Sequence, residues 1–447
     1  MSSDHKHIAI IGAGLVGSLL SIYLARRGYK VSLFERRLDM RKAKADAGRS
    51  INLALSNRGL RALEEVGLAE TLRSVAIPMH GRMVHDVQGK LSLLPYGKAG
   101  EFINSISRSM LNIVLMNEAE KNGVNLFFNH RCTNVDFDKT SLTLQAIGAA
   151  SSQTFDFDVI VGADGAYSSV RSAMQITDRF NYSQHYIEHG YKELHIPAGA
   201  AGEFLMEKHA LHIWPRESYM MIALPNPDGS FTCTLFFPFE GALSFRSLKT
   251  DAIVKSFFET NFPDAVPLMP DLLTDYNENP TSSLVTVKCF PWRRNNTFLI
   301  GDAAHAIVPF YGQGMNAGFE DCRILNQLLI QYNDDWDRTL MEFENMRKPD
   351  ADAIAQLAFD NFVEMRDLVD DPEFLLRKKI EARLHALYPK RWIPLYSMVT
   401  FNDDIPYSQA LAIGQRQSQI MRDVLRTKNI ARNWEKLDFE AIVNKLR

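Results

Sequence analysis

The spacing of apolar and polar positions changes several times along the chain, and each change marks an element. Ile8-Ala9-Ile10-Ile11 is an unbroken apolar run of strand length. Three glycines, Gly12, Gly14 and Gly17, then open a segment in which Leu19, Leu20, Ile22, Tyr23 and Leu24 carry the spacing of a helix packed on a sheet. Tyr29 to Glu35 is β-branched and aromatic and ends on an acid, so the first 36 residues predict a βαβ unit. A helix is predicted over 110–121, a short strand over 124–128, and one strand over 154–161 that ends in Val159-Ile160-Val161. Leu211–Trp214, Tyr219–Leu224 and Phe231–Phe237 read as strands, the last two joined by the turn Asn226-Pro227-Asp228-Gly229-Ser230, and together predict an antiparallel sheet. A buried strand returns at 297–301, a long helix begins near Gly314, and from about 335 the pattern is helical and amphipathic.

This succession predicts an α/β chain whose nucleotide-binding domain is discontinuous, with an antiparallel-sheet domain inserted and a helical region added after it. The Gly12-x-Gly14-x-x-Gly17 spacing carries a chemical meaning in this setting. The first glycine permits the tight turn, the second lets a pyrophosphate approach the backbone, and the third lets helix and strand pack closely. Free N–H groups at the helix start favour the phosphates. Glu35 ends the second strand, where a carboxylate can accept hydrogen bonds from ribose hydroxyls. The pattern predicts dinucleotide binding without separating NAD from FAD.

Composition removes other classes. Apolar residues make up 46% and charged residues 23%, as in an ordinary soluble globular protein, and the net charge of −3 disfavours a nucleic-acid binder. The uncharged run Ile8–Ala25 is 18 residues long, but its three glycines break it where a strand turns into a helix, which argues against a membrane span or a signal peptide. The four cysteines, Cys132, Cys233, Cys289 and Cys322, have no zinc-type spacing, so no metal site is expected, and their scatter fits a reducing compartment.

Two later segments extend the chemistry. Asp158–Arg171 holds Ala163-Asp164-Gly165, and Thr297–Gly318 delivers Asp302 at a strand end before Gly312-Gln313-Gly314 opens a helix. An acid so placed can hold a cofactor's polyol, or simply cap the turn that follows it. Taken together, the three segments resemble the class A flavin monooxygenases, which have the fold of 4-hydroxybenzoate hydroxylase. Gly48–Ser56, His189–Leu194, Leu211–Arg216, Phe231–Phe236, Val308–Asp321, Asn361–Arg366 and Pro394–Phe401 narrow the resemblance to the kynurenine 3-monooxygenase family.

The resemblance implies an FAD-binding domain formed by residues 1–180 and 286–345, a substrate domain over 181–285, and a helical region over 346–447, with a substrate-facing hairpin near 81–97. It implies non-covalent FAD contacted by Gly12, Gly14, Val16, Gly17, Glu35, Arg36, Ala54, Arg108, Asp302, Gly314, Met315 and Asn316. It further implies NADPH as reductant, O₂ as oxidant and L-kynurenine as substrate, hydroxylated on the ring carbon ortho to the aniline nitrogen. No second glycine triplet is present, so NADPH is expected to dock without a domain of its own.

On the substrate side the resemblance assigns Arg82 and Tyr96 to the amino-acid carboxylate, and places Asn361, Tyr396, Phe236, Ile222, Leu224 and Met365 around the substrate. Gly81–Val87 and Leu91–Tyr96 read as a hairpin about Gln88-Gly89-Lys90, which would pair residue 82 with 96 and put both side chains on one face. Asn361 and Met365 stand at helical i, i+4 spacing. His305 reads as structural. The flavin carries the reaction, so no protein general base is assigned. The membrane-bound members of the family carry a C-terminal anchor. This chain ends in a charged stretch and looks like the soluble bacterial members, so no anchor and a cytoplasmic location are expected. Three alternatives remain beside this reading: a related hydroxylase of another aromatic, an NAD-dependent dehydrogenase, and a flavin-binding sensor without turnover. A flavin halogenase would need a Trp-x-Trp-x-Ile-Pro motif, which is not present. Nothing in the sequence sets an oligomeric state.

Overall fold

The computed structural model describes residues 6–42, 52–98, 100–365 and 371–446. The motif segments Gly48–Ile51 and Arg366 lie outside them. The chain divides into two compact units. The first comprises Met1–Ile77, Asn104–Ile187 and Ser283–Ala355, and the second Pro78–Ile103, Glu188–Ser282 and Gln356–Arg447.

The first unit is built on a six-stranded sheet, in the order Arg293–Arg294, Thr297–Leu299, Val159–Gly162, His7–Ile11, Lys30–Phe34, Asn125–Phe127. All but the first pair run parallel. Ile8, Ala9, Ile10, Ile160 and Val161 are fully buried, as strands covered on both faces must be. The helix Leu15–Arg26 packs against the helices Arg108–Lys121 and Gly314–Gln331. The run expected as one strand over 154–161 is two. Gln153–Asp156 pairs with Ser141–Ala146 in a separate antiparallel sheet, and Val159–Gly162 joins the parallel one. The divide falls at Phe157-Asp158. Asp158 donates its N–H to the His7 carbonyl (2.9 Å) and accepts the His7 N–H on its carboxylate (2.7 Å), which starts the second pairing. The preceding Gln153–Asp156 is exposed throughout.

The second unit holds most of a seven-stranded sheet, whose inner strands Ala210–Arg216, Tyr219–Pro225 and Phe231–Pro238 are antiparallel. The sheet is mixed rather than purely antiparallel, because Gly81–His85 joins Ala210–Arg216 in parallel. One face of this sheet is a closed core. Trp214, Met221, Cys233, Leu235 and Phe237 are fully buried there, with Phe257 and Phe258 of the helix Asp251–Asn261 in the same cluster. The C-terminal helices Pro372–Leu387 and Tyr407–Leu425 enclose a smaller core around Trp392 and Met421.

Candidate active site

The nucleotide loop is shaped by backbone crowding. Gly12 has φ +104°, and a Cβ there would lie 2.5 Å from the Ala163 carbonyl oxygen. A Cβ on Gly17 would collide with the carbonyl oxygen of Gly12. Gly14 is different, with nothing within 4 Å of where its Cβ would point. It begins the helix Leu15–Arg26, which has no side-chain cap and no acid in its first turn. The unused N–H groups and the helix dipole therefore face open space, which suits a diphosphate. Glu35 closes the loop's far side, accepting from Ala13 N at 3.0 Å and Arg37 N at 2.9 Å. Asn112, which no sequence signal singled out, braces the same loop by donating to the Ala13 carbonyl at 3.0 Å. Arg36 is exposed just past the strand end.

The remaining cofactor candidates lie on two further segments of the same unit. Asn316 donates to the carbonyls of Ala54 and Gly312, both at 2.8 Å, and accepts from Ser56 N at 3.0 Å. It thereby ties the strand Asn52–Leu55 to the start of the helix Gly314–Gln331. That helix also begins without a side-chain cap or a first-turn acid, and Gly314 and Met315 on it are partly open. Val16 packs where a Cβ on Gly301 or Gly318 would sit. Asp302 follows Gly301 and stays exposed, yet burial raises its carboxyl above the ordinary range, with Arg108 opposing. Open space at Gly14, two uncapped helix starts and the exposed Asp302 fit FAD.

On the substrate side the hairpin forms in a different register from the one expected. Arg82 pairs with Leu94, and Tyr96 donates its N–H to the His80 carbonyl at 3.1 Å. The loop is Val87-Gln88-Gly89, closed by Asp86 and Lys90. Gly89 has φ +77°, and a three-residue loop places its left-handed residue last, not in the middle. The Asp86 carboxylate fixes this choice by accepting from Gln88 N at 2.9 Å and Lys90 N at 2.8 Å. The slip is two residues, so Tyr96 remains on the Arg82 face.

Register then gathers the other candidates. Arg82 stands opposite Leu211, Ile222 opposite Ile213 and Thr234, and Phe236 opposite Met220. Arg82, Tyr96, Ile222, Leu224 and Phe236 consequently share one face of the sheet, the face opposite the closed core. Tyr396, on the helix Leu395–Thr400, stacks on Tyr96 with ring centroids 5.3 Å apart and planes at 10°. The Arg82 guanidinium carbon lies 5.7 Å from the Tyr96 centroid and 5.1 Å from that of Tyr396. Burial pushes both phenols above their ordinary values, and the Arg82 charge opposes it. Both therefore remain protonated donors beside a permanent cation. Asn361 and Met365 meet each other, with the amide nitrogen 3.3 Å from the thioether sulfur. The intervening Phe362 packs edge-on against His189 at 5.0 Å.

The comparisons with known proteins bear on both halves. Residues 5–358 match the family model described as an FAD binding domain. The kynurenine 3-monooxygenase of Flavobacterium psychrophilum is 50% identical, covering 97% of this chain and 97% of its own. That of Myxococcus xanthus is 50% identical over 95% of this chain and 92% of its own, and that of Anopheles gambiae 47% identical over 96% and 89%. The chain belongs to the kynurenine 3-monooxygenase family. It is a flavin monooxygenase with FAD as its cofactor. Solved structures agree at the level of fold. Tetrameric 2-methyl-3-hydroxypyridine-5-carboxylic acid oxygenase superposes with a TM-score of 0.67 at 23% identity, covering 83% of this chain and 95% of that one. PqsL of Pseudomonas aeruginosa gives 0.65 at 18% identity, covering 81% and 99%. Arg82 with its two tyrosines is a cationic feature of the sheet face opposite the closed core. No described helix is long and apolar enough to cross a membrane.

Proposed function

We propose that this protein hydroxylates L-kynurenine to 3-hydroxykynurenine, using NADPH and O₂. Bound FAD supplies the redox chemistry and oxygen activation. The protein's residues bind and orient. Gly14 and the start of its helix receive the pyrophosphate, Glu35 the adenosine ribose, and Asp302 the ribityl chain, with Val16, Arg36, Ala54, Arg108, Gly314, Met315 and Asn316 completing the FAD site. Arg82 binds the amino-acid carboxylate, with the Tyr96 and Tyr396 hydroxyls beside it. Ile222, Leu224 and Phe236 offer the aromatic ring an apolar wall, and Asn361 with Met365 lies at its edge. An apolar, water-poor surround also protects an oxygen-transfer step from side reactions.

One observation carries the reading. An arginine set against two stacked, protonated tyrosines lies on the sheet face opposite the closed core, the face that also carries the apolar Ile222, Leu224 and Phe236. That is how a small aromatic amino acid is held, by one charged contact and a wall. The four cysteines are free and buried, which supports the reducing cytoplasm as the compartment. Incubation with L-kynurenine, NADPH and air tests the proposal. A product heavier by one oxygen atom, co-eluting with 3-hydroxykynurenine, is expected. NADPH oxidation that forms only peroxide would point to another aromatic substrate, and an inert yellow protein to a sensor.

A further inference from the structure

Beneath the cofactor segments lies a group of charges that the reaction does not use. Glu320 and Asp321 sit side by side in the middle of the helix Gly314–Gln331, and Asp321 is wholly buried. One Asp321 oxygen accepts from Arg347 Nε at 2.7 Å. The other faces two groups, the Gly301 N–H at 3.2 Å and His305 Nε2 at 2.6 Å. Gly301 and His305 are the two ends of a single helical turn, and the exposed Asp302 lies within it. Glu320 reaches the other way, to Arg58 at 2.7 Å on the helix that follows strand Asn52–Leu55, and Arg347 pairs with it at 2.8 Å. Charges this deeply buried are stable only when each is matched, so the geometry of the group is fixed.

We infer that Asp321 is a positioning residue for the flavin, clamping both ends of the Gly301–His305 turn so that Asp302 is presented in one orientation. A four-residue turn is too short to hold itself, since helix nucleation is unfavourable without outside contacts. Asp302 would otherwise move with its backbone, and an acid that has to be ordered on binding loses affinity. Arg171 holds the middle of the turn by donating from Nη1 to the Ala303 carbonyl at 2.8 Å, and the buried Asp321 carboxylate orders its two ends beforehand. Arg347 does not touch the turn. It supplies the charge that lets Asp321 remain an anion at this depth.

The inference rests on Asp302 as a flavin contact, and the experiment separates the two. FAD is titrated into apoprotein by fluorescence quenching, and the visible circular dichroism of the bound flavin is recorded. Asp302→Ala tests the reading itself, and an unchanged FAD affinity there would defeat it. Asp321→Asn tests the clamp, with FAD binding expected to weaken at least tenfold and the flavin dichroism to change at saturation. Leu325→Ala is the control for general loss of packing, being equally buried on the same helix. It is expected to lower Tm at least as far while FAD affinity stays within twofold. His305→Leu, which has no donor, releases only one end of the turn and keeps the Arg347 pair, which guards against an Asp321 variant that fails to fold. It should weaken FAD about three- to tenfold. Wild-type affinity and dichroism in both the Asp321 and His305 variants, or an equal loss of affinity in Leu325→Ala, would overturn the inference.

Discussion

The glycine loop and the Arg82 cluster both present positive potential to an anion, and they do so with different materials. The loop uses no charged side chain. Its positive end is a row of backbone N–H groups at the start of Leu15–Arg26, exposed because Gly14 leaves room in front of them. The Arg82 cluster uses a formal charge bordered by two aromatic rings, Tyr96 from the hairpin and Tyr396, 300 residues later, from a helix. A backbone site is made by consecutive residues and is therefore local. A side-chain site draws on whatever the fold brings together. The first should fail abruptly when its shape is altered, and the second gradually, one contact at a time.

The sharpest way to break the comparison is to fill the loop. Gly17→Ala puts a methyl group onto the Gly12 carbonyl, where only backbone can move. FAD affinity should drop at least about 100-fold, roughly 2.8 kcal/mol at 1.4 kcal/mol per decade. Fluorescence titration of the apoprotein measures it, and a loss under tenfold would mean that the loop tolerates reshaping. Arg82→Ala should come next. A charge-assisted hydrogen bond is worth about 1.5–3 kcal/mol, so L-kynurenine binding should weaken about 10- to 150-fold while FAD content is unchanged. Substrate-induced perturbation of the flavin spectrum gives the Kd, and a wild-type value would move the carboxylate site elsewhere.

Removing one ring should cost less. Tyr396→Leu removes the stacking partner and the cation–π contact to Arg82, each worth about 0.5–2 kcal/mol. KM for L-kynurenine is expected to rise about 3- to 30-fold. If Tyr396→Phe has the same effect, the hydroxyl rather than the ring is what matters. The smallest effect tests the hairpin register. Gly89→Ala forces a methyl-bearing residue into a left-handed conformation, which costs about 1–2 kcal/mol. A Tm lowered by a few degrees with near-normal KM would show that the Asp86 loop holds the register without its glycine. A large KM rise would show that the register itself slips.

Against these differences, the legibility of the two sites follows a simple division. Gly12, Gly14, Gly17 and Glu35 were readable because a turn, a helix start and a strand end are all set by neighbours in sequence. The split of 154–161 was not, because an apolar run does not reveal which of two sheets each half will join. The hairpin was readable as a hairpin, while its register depended on the Asp86 side chain capping the loop. Two residues of slip preserve the face, so the placement of Arg82 with Tyr96 survives the misjudged pairing.

What this sequence determined by itself is the chemistry it can do locally: a nucleotide loop, an acid at a strand end, an arginine and a tyrosine on one hairpin. What only the tertiary structure decided is company. The stack of Tyr396 on Tyr96 requires two distant segments to meet, and the sharing of one sheet face by Arg82, Ile222, Leu224 and Phe236 requires three strand pairings in register. The clamp of Asp321 on Gly301 and His305 requires a helix to lie against a turn whose ends are 20 and 16 residues before Asp321. Periodicity and propensity act over a few residues, whereas these contacts are selected by the burial of whole faces and the matching of buried charges, which no short window of sequence contains.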